Sequence, residues 1–250
     1  MRHALAPLLM APLLLTAPAA NSAEQSYRAN YTVTLLGLPV AKARFDSTFT
    51  ARDFRIEGSL SSAGIARIFD KTTGTTKVEG RIGKEGAQPR TFSSAYKSGK
   101  KSSRTTIRYA GGRVSSVSNT PEPRKGKTWV EVRESHLRAA LDPLSSTLIR
   151  TEDPGKVCNR TIQVFDGEMR IDLKLSPRKS EGERITCDAR FVPVSGYRQG
   201  RKQIEFLKNQ SRISITFAEL GETGFYTPVD ASVGTQIGTL RIAATHIAAR

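Results

Sequence analysis

The sequence predicts a mainly β protein: a strongly curved antiparallel sheet, forming an open or spiral β-barrel, with one short amphipathic helix packed on or in it. Most of the chain alternates apolar and polar residues in short segments, which is typical of strands. Turn residues separate these segments every ~8–12 residues, giving roughly ten to twelve strands, and this favours an all-β barrel or curved sheet over a parallel sheet. One segment instead spaces its leucines as a helix does.

The N-terminal residues have the layout of a secretory signal peptide. Arg2 supplies a positive charge, residues 4–15 are apolar apart from two prolines, and small residues at 17–23 offer a cleavage site. The apolar run is far shorter than the ~20 residues that cross a bilayer, so we expect cleavage rather than anchoring. Residues 1–23 are therefore excluded from the fold prediction, and residues 24–250 are expected to form a single soluble domain in the periplasm.

The first half of the mature chain is predicted to form consecutive hairpins. The first strand is rich in β-branched and aromatic residues, and a Gly-Leu-Pro sequence at 37–39 turns the chain toward a second strand. Further on, Thr105, Ile107 and Tyr109 alternate and therefore share one face of a strand. The predicted elements are strands at 27–36, 40–49 and 53–60, a strand or short helix at 61–70, and a further hairpin at 71–83.

The second half contains the clearest hairpin signal. Asp166 and Gly167 stand between two alternating runs, which is the composition of a two-residue type I′ turn. Residues 119–127 are polar and contain two prolines, so they are predicted to form a flexible loop. Further strands are predicted at 183–194, 212–220 and 236–247.

The helix is predicted over residues 131–150. Asp142 can accept hydrogen bonds from early backbone N–H groups as an N-cap, and Pro143 has the fixed φ that suits the first helical position. A lone amphipathic helix must bury its apolar stripe against a sheet face or in a barrel mouth. It is therefore either ordinary core or a plug beside an apolar cavity. The stripe consists of Leu137, Leu141, Leu144 and Leu148.

Two cysteines and a strong positive charge characterise the exported part. Cys158 and Cys187 are an even pair behind an export signal, which predicts one structural disulfide, and their spacing suits neither a CxxC redox motif nor a zinc site. The formal net charge is +16 for the whole chain and +15 once Arg2 leaves with the signal peptide, which favours an anionic partner. In an envelope this would be a membrane surface or an acidic polymer, not nucleic acid. The basic runs at 97–104, 124–127 and 198–202 could instead be solvated loops.

The sequence contains no motif that indicates catalysis, a metal or a cofactor. The GxSxG, GxGxxG and HExxH patterns are missing, and His136 and His246 are far apart in the chain. Carboxylate pairs at 131/134 and 181/183 are expected to be solvated, because proximity in sequence does not place two carboxylates across a cleft. We therefore expect no enzymatic activity, no metal and no cofactor.

Three stretches together resemble an exported Gram-negative family known as domain of unknown function 3108. They are residues 31–45 with a Leu-Gly-Leu-Pro hairpin, residues 140–150 with an Asp-Pro-Leu-Ser start, and residues 158–198 with a Phe-Asp-Gly turn. The resemblance implies a periplasmic, strongly curved antiparallel sheet, related to the open barrels of lipoprotein carriers or the β-spirals of envelope-integrity proteins. It gives no residue a functional role. The chain lacks a lipobox cysteine, which implies a form without a lipid anchor.

The first functional hypothesis is a non-enzymatic periplasmic protein that binds an apolar ligand or maintains the envelope. Small barrels can hold one apolar ligand, and a lipid or another apolar small molecule is expected here. The alternative is a filled-core structural protein that docks an anionic envelope polymer or a partner protein. An envelope hydrolase is the third hypothesis. The predicted cavity residues are Val33, Leu35, Phe45, Phe49, Ile56, Leu144 and Leu148.

Overall fold

The computed structural model describes residues 24–64, 66–69, 71–178 and 182–250, so the predicted signal peptide lies outside the described residues. Within these ranges the helices are α1 (Ala66–Phe69) and α2 (Lys202–Asn209). The strands are β1 (Gln25–Leu35), β2 (Leu38–Phe49), β3 (Asp53–Ser62), β4 (Thr72–Gly83), β5 (Gly86–Ser98), β6 (Lys101–Ala110), β7 (Arg113–Thr120), β8 (Trp129–Val130), β9 (Ile149–Arg150), β10 (Arg160–Phe165), β11 (Arg170–Pro177), β12 (Ile185–Ser195), β13 (Tyr197–Arg198), β14 (Ile213–Glu219), β15 (Phe225–Thr235) and β16 (Gly238–Ala249).

A single 14-stranded antiparallel sheet dominates the fold, and it confirms the predicted mainly β, strongly curved architecture. Its order is β10-β11-β12-β14-β15-β16-β1-β2-β3-β4-β5-β6-β7, with β9 paired to the beginning of β15. The last strand pairs with the first along nearly its whole length, from Tyr27 opposite Ala249 to Leu35 opposite Leu240. This pairing places the first and last strands side by side within the sheet. Strands β8 and β13 form a separate ribbon.

The sheet does not close, because its two edge strands, β7 and β10, do not pair with each other. Residues 138–141 bridge the gap between them instead. The N–H of Ala139 donates to the carbonyl of Gly112 next to β7 (3.1 Å), and Leu141 makes two backbone hydrogen bonds with β10 (2.8 Å each). These contacts satisfy backbone groups that an open edge would leave exposed.

The predicted helix over residues 131–150 is wrong. The segment contains two 3₁₀ turns, Glu134–Leu137 and Ser145–Thr147, with extended chain between them. Ala139 has a φ of +54°, outside the helical region, and the backbone groups of Leu141 are bonded to β10. Each backbone group makes its hydrogen bonds once, so bonds made to the sheet edges are not available to a helix.

Helix α2 is not among the predicted elements, because its segment is short and largely polar and follows a basic run. Its one buried residue, Ile204, packs against Phe191 and Ile213 of the sheet. Strand β15 is likewise not predicted. No helix among the described residues has the length and apolar character needed to span a bilayer.

Two predicted turns also differ from the structure. The hairpin expected at 71–83 is one continuous strand, β4, in which a Cβ on Gly80 would lie 2.6 Å from Cε1 of Phe54. Glycine therefore marks a close approach here rather than a turn. The β10–β11 loop has four residues instead of two, because Phe165 pairs with Arg170 and the Asp166 carboxylate accepts from the N–H groups of Glu168 and Met169.

The buried apolar side chains form three clusters. The largest joins the inner face of β2 to β7, which includes Phe49 and Phe54, to the floor side of the molecule, which includes Leu144 and Phe225. The second surrounds the Cys158–Cys187 bridge, whose Cα atoms are 5.2 Å apart, so the predicted disulfide is confirmed. A disulfide is compatible with export to an oxidising compartment. The third cluster lies under α2.

Candidate apolar cavity

The floor of a cavity is built by residues 142–148, which we call the floor segment. Oδ1 of Asp142 accepts hydrogen bonds from the N–H groups of Leu144 and Ser145, both at 2.9 Å, so this carboxylate caps the short 3₁₀ turn. The cap fixes the direction of the turn. Leu144 and Leu148 then project from it into the largest core cluster.

The walls of the cavity come from the inner faces of β1, β2, β3 and β14 to β16. The cavity has a volume of about 350 Å³. Tyr31 packs edge-on against Phe45 with ring centroids 5.7 Å apart, and Phe49 packs against Phe225 at 5.6 Å. The lining side chains are mostly aliphatic or aromatic. They are Tyr27, Ala29, Tyr31, Val33, Ala43, Phe45, Ser47, Phe49, Ile56, Leu60, Leu144, Thr147, Leu148, Ile215, Leu220, Thr227, Pro228, Asp230, Ala231 and Ile242.

A glycine creates the space that one of these rings occupies. A Cβ placed on Gly58 would lie 2.5 Å from Cε1 of Phe45 and 2.7 Å from Cγ2 of Thr76. Both contacts are impossibly short, so the Phe45 ring lies directly over the glycine backbone of the neighbouring strand. The ring is thereby held against the sheet instead of standing in the cavity.

The two tyrosine hydroxyls and the one carboxylate that line the cavity have partners within the protein. The hydroxyl of Tyr31 donates to the carbonyl of Pro228 (2.7 Å), and burial raises the pKa of this phenol to about 12. The hydroxyl of Tyr27 donates to Gln25 (2.9 Å), and Asp230 is paired with Arg241 at 2.7 Å. A ligand therefore meets mainly carbon surface and needs no hydrogen-bonding groups of its own.

Six of the seven residues predicted to line a cavity are brought together in this one. Leu35 is not among the lining residues. It lies at the end of β1, opposite Leu38 and Leu240, beyond an irregularity in the β1–β2 pairing between Val33 and Thr34. The extra residue of this irregularity is Val40 of β2, and the pairing of β1 with β16 continues in register, so Leu35 keeps the face of Val33 and misses the cavity because it lies farther toward the strand end.

The lining residues that the sequence did not predict come partly from β1 to β3 and the floor segment and partly from the C-terminal strands. Ile215, Ala231 and Ile242 face the cavity from three neighbouring strands, β14, β15 and β16. The strands that carry Ile215 and Ile242 are predicted from their alternation. The missing information is the pairing of β16 with β1 across the length of the chain, which no local pattern reveals.

A small group of buried polar atoms lies behind the floor. Oδ2 of Asp142, Oγ of Ser145 and the hydroxyl of Tyr109 are buried and make no hydrogen bond with the residues that the structure describes. Burial raises the pKa of Asp142. The pKa of Tyr109 is raised by burial and also by the neighbouring Asp142 carboxylate. The floor therefore contains an acid that is hard to ionise.

A barrel-like sheet around an apolar interior defines an architectural class of β proteins rather than a reaction. Within that class the chain belongs to the family described as "Protein of unknown function (DUF3108)", whose model matches residues 26–245. The resemblance seen in the sequence is thereby confirmed.

Among solved structures the chain is similar to a beta-barrel-like protein of the domain of unknown function DUF1849 from Brucella abortus. The TM-score is 0.50 at 10% sequence identity, and the match covers 92% of this chain and 100% of that chain. At this identity the likeness shows the fold alone. No curated protein matches the chain.

Proposed function

We propose that this protein is a non-enzymatic binding protein of the bacterial envelope, which holds a single apolar ligand in the cavity above the floor segment. The size and lining favour one acyl chain or an apolar molecule of similar bulk. Export is supported by the predicted signal peptide and by the Cys158–Cys187 bridge.

The observation that carries this proposal is the cavity itself. Protein interiors are packed as densely as organic crystals, and unfilled apolar space costs stability. A volume of about 350 Å³ is far larger than an ordinary packing defect and lies at the small end of the range of ~300–1,000 Å³ known for ligand sites. It suits one chain better than a lipid with several chains.

The lining supports the same interpretation. Tyr31 and Tyr27 direct their hydroxyls to protein acceptors, and the Asp230 charge is neutralised by Arg241. Transfer of an acyl chain from water to such a surface is favourable by about 0.8 kcal/mol per buried CH₂ group. Affinity should therefore rise with chain length until the cavity is full.

The test compares two alanine substitutions on the same sheet. Ala43 lies between Tyr31 and Leu60 and faces the cavity, so Ala43→Phe fills it. Ala243, on β16, has the opposite orientation from Ile242 and provides the matched control Ala243→Phe. The probe is a dansylated medium-chain fatty acid, titrated by fluorescence against the purified mature protein.

We expect one probe per wild-type protein, a loss of affinity of about tenfold or more in Ala43→Phe, and little change in Ala243→Phe. Circular dichroism and thermal unfolding establish that both variants are folded. Equal probe binding by the two folded variants, or no binding by the wild type, would contradict the proposal. In the second case a filled-core interaction protein becomes the better hypothesis.

A further inference from the structure

The two ends of the sheet differ sharply in charge. We call the end that carries the β1–β2, β3–β4, β5–β6 and β15–β16 connections the open end, because consecutive antiparallel strands place these turns together. In residues 30–43, 59–75, 95–104 and 231–243 there are eight basic residues and one acidic residue, Asp70, which lies outside the described residues. The basic residues are Lys42, Arg67, Lys71, Lys97, Lys100, Lys101, Arg104 and Arg241. Arg241 is paired with Asp230, which lies just outside the last range, at 2.7 Å.

Several cations toward the other end are paired with carboxylates, although Arg52 and Lys84 at its turns form no ion pair with a described residue. On the outer face, Arg28 pairs with Asp46 (2.7 Å), Lys77 with Glu79 (2.7 Å), and Arg90 with Asp53 (3.2 Å). The basic rim, which we define as Lys42, Lys97, Lys100, Lys101 and Arg104, forms no ion pair with any residue that the structure describes.

The same end presents large apolar side chains to water. Leu36 and Ile237 are each 69% exposed and Leu38 is 53% exposed; we call these three the apolar turn patch. The N–H of Leu36 donates to the carbonyl of Thr239 (3.2 Å), which fixes the β1–β2 turn beside the β15–β16 turn. The three side chains therefore belong to one surface rather than to independent loops.

One of these residues is also held in a costly conformation. Leu36 has a φ of +52°, in the left-handed region that a leucine rarely adopts. A residue held in such a conformation at an exposed tip motivates a hypothesis of function, because its side chain contributes little to the core.

We propose that the open end is a docking surface for an anionic lipid bilayer, with the apolar turn patch inserted at the interface and the basic rim on the headgroups. Amphipathic surfaces bind membranes by this combination of buried apolar area and attraction to anionic lipids. A basic residue near an anionic leaflet contributes to binding through the surface potential. A soluble polyanion would match the rim but would leave the apolar patch in water.

The cavity lies next to this surface, so docking would bring the cavity close to the membrane. Its lining reaches the open end at Val33 and at Leu60, which is 36% exposed. A protein docked through its turns would therefore present the cavity to the acyl layer. The docking inference stands on the rim and the patch, and it does not require the cavity to bind a ligand.

The experiment is sedimentation of the mature protein with vesicles of phosphatidylcholine containing or lacking phosphatidylglycerol. One variant, Lys100→Glu with Lys101→Glu, reverses two rim charges. Its matched control, Arg52→Glu with Lys84→Glu, makes the same change in net charge at turns of the opposite end. A third variant, Leu36→Asn with Ile237→Ser, removes apolar area from the patch and leaves every charge in place.

We expect binding only to vesicles that contain phosphatidylglycerol, weakening as salt is added. The rim variant should lose about tenfold or more in partition coefficient, and the patch variant a comparable amount, while the opposite-end control stays within about threefold of wild type. Equal losses in rim and control variants would overturn the inference, because net charge alone would then explain binding.

Two further outcomes would overturn it. If the patch variant binds vesicles as tightly as wild type, no apolar insertion takes place. If a soluble polyanion competes fully and binds the patch variant unchanged, the surface recognises a charged polymer instead of a bilayer. The fatty-acid titration separates the two proposals, since a docking-deficient patch variant should still bind the probe with wild-type affinity.

Discussion

The two ends of the sheet differ in how far their apolar side chains are buried and their charges are paired. At the floor, aromatic rings, the capped segment 142–148 and the edge bridge at 138–141 fill the interior, and nearby outer-face cations are paired with carboxylates. At the open end, leucine and isoleucine side chains face water, and the basic rim forms no ion pair with a described residue, whereas Arg241 is paired with Asp230. The largest core cluster therefore lies toward the floor, whereas the β1–β2 and β15–β16 turns at the open end expose apolar side chains to water.

This contrast predicts its largest effect at the floor. Phe225 is fully buried against Phe49, so Phe225→Ala should lower the free energy of unfolding by about 3–5 kcal/mol. The matched truncation at the open end, Ile237→Ala, should change it by less than about 0.5 kcal/mol, because Ile237 is exposed. Urea unfolding followed by circular dichroism measures both. Similar losses in the two variants would show that the open end is part of the folded core.

Sequence patterns predict some of the residues that line the cavity and not others, for a physical reason. Alternation identifies inward residues within a hairpin, which is why Phe45, Phe49 and Ile56 are found together. It does not reveal that the chain's last strand pairs with its first, so the wall provided by Ile242 is not predictable locally. The order of β16 beside β1 is set by the global packing of the sheet.

The floor segment shows a different limit of sequence reasoning. Its leucine spacing fits a helix. The backbone just before it instead makes hydrogen bonds with the edges of β7 and β10, and a sequence pattern does not reveal these edges because they are formed by other parts of the chain. Asp142 nevertheless caps the turn that follows it, because N-capping needs only a side-chain oxygen and the next few N–H groups. Local chemistry is predictable here, whereas the length of the element is not.

The second prediction, smaller in size, concerns the acid in the floor. Asp142 has a raised pKa in the folded protein because it is buried, so the folded state holds this proton more tightly than the unfolded state does. Its contribution to stability is therefore greatest at low pH and is lost as pH rises from its ordinary value of 3.8 through the folded pKa. Asp142→Asn keeps the capping oxygen and removes the charge.

We expect Asp142→Asn to match wild type near the acid end of this window and to exceed it at neutral pH by about 1–3 kcal/mol. Urea unfolding across a pH series gives this difference directly.

The comparison site is Asp46 on the outer face. Burial acts to raise the pKa of this carboxyl, but the hydrogen bonds and charges of Arg28 and Arg44 outweigh burial and lower the pKa. Asp46→Asn should therefore show the opposite trend, losing stability at neutral pH and recovering relative to wild type as pH falls.

A constant difference between Asp142→Asn and wild type across the series would mean that Asp142 titrates alike in both states. The buried oxygens of Ser145 and Tyr109 could each accept from the new amide, which is a further reason to expect the variant to fold.

The smallest effect on stability is expected at Leu36, where a substitution should be neutral or stabilising. Asparagine tolerates the left-handed conformation better than leucine does, so Leu36→Asn should leave stability unchanged or raise it by up to about 1 kcal/mol. The same substitution removes an exposed apolar side chain from the surface proposed to meet the membrane. Thermal unfolding of this single variant, beside its vesicle binding, therefore separates two roles for one residue. If Leu36→Asn destabilises the protein as a core truncation does, the side chain serves the fold. If it is at least as stable as wild type but binds vesicles more weakly, the Leu36 side chain contributes to membrane binding and not to stability. A gain in stability would show in addition that the left-handed leucine lowers stability in favour of binding.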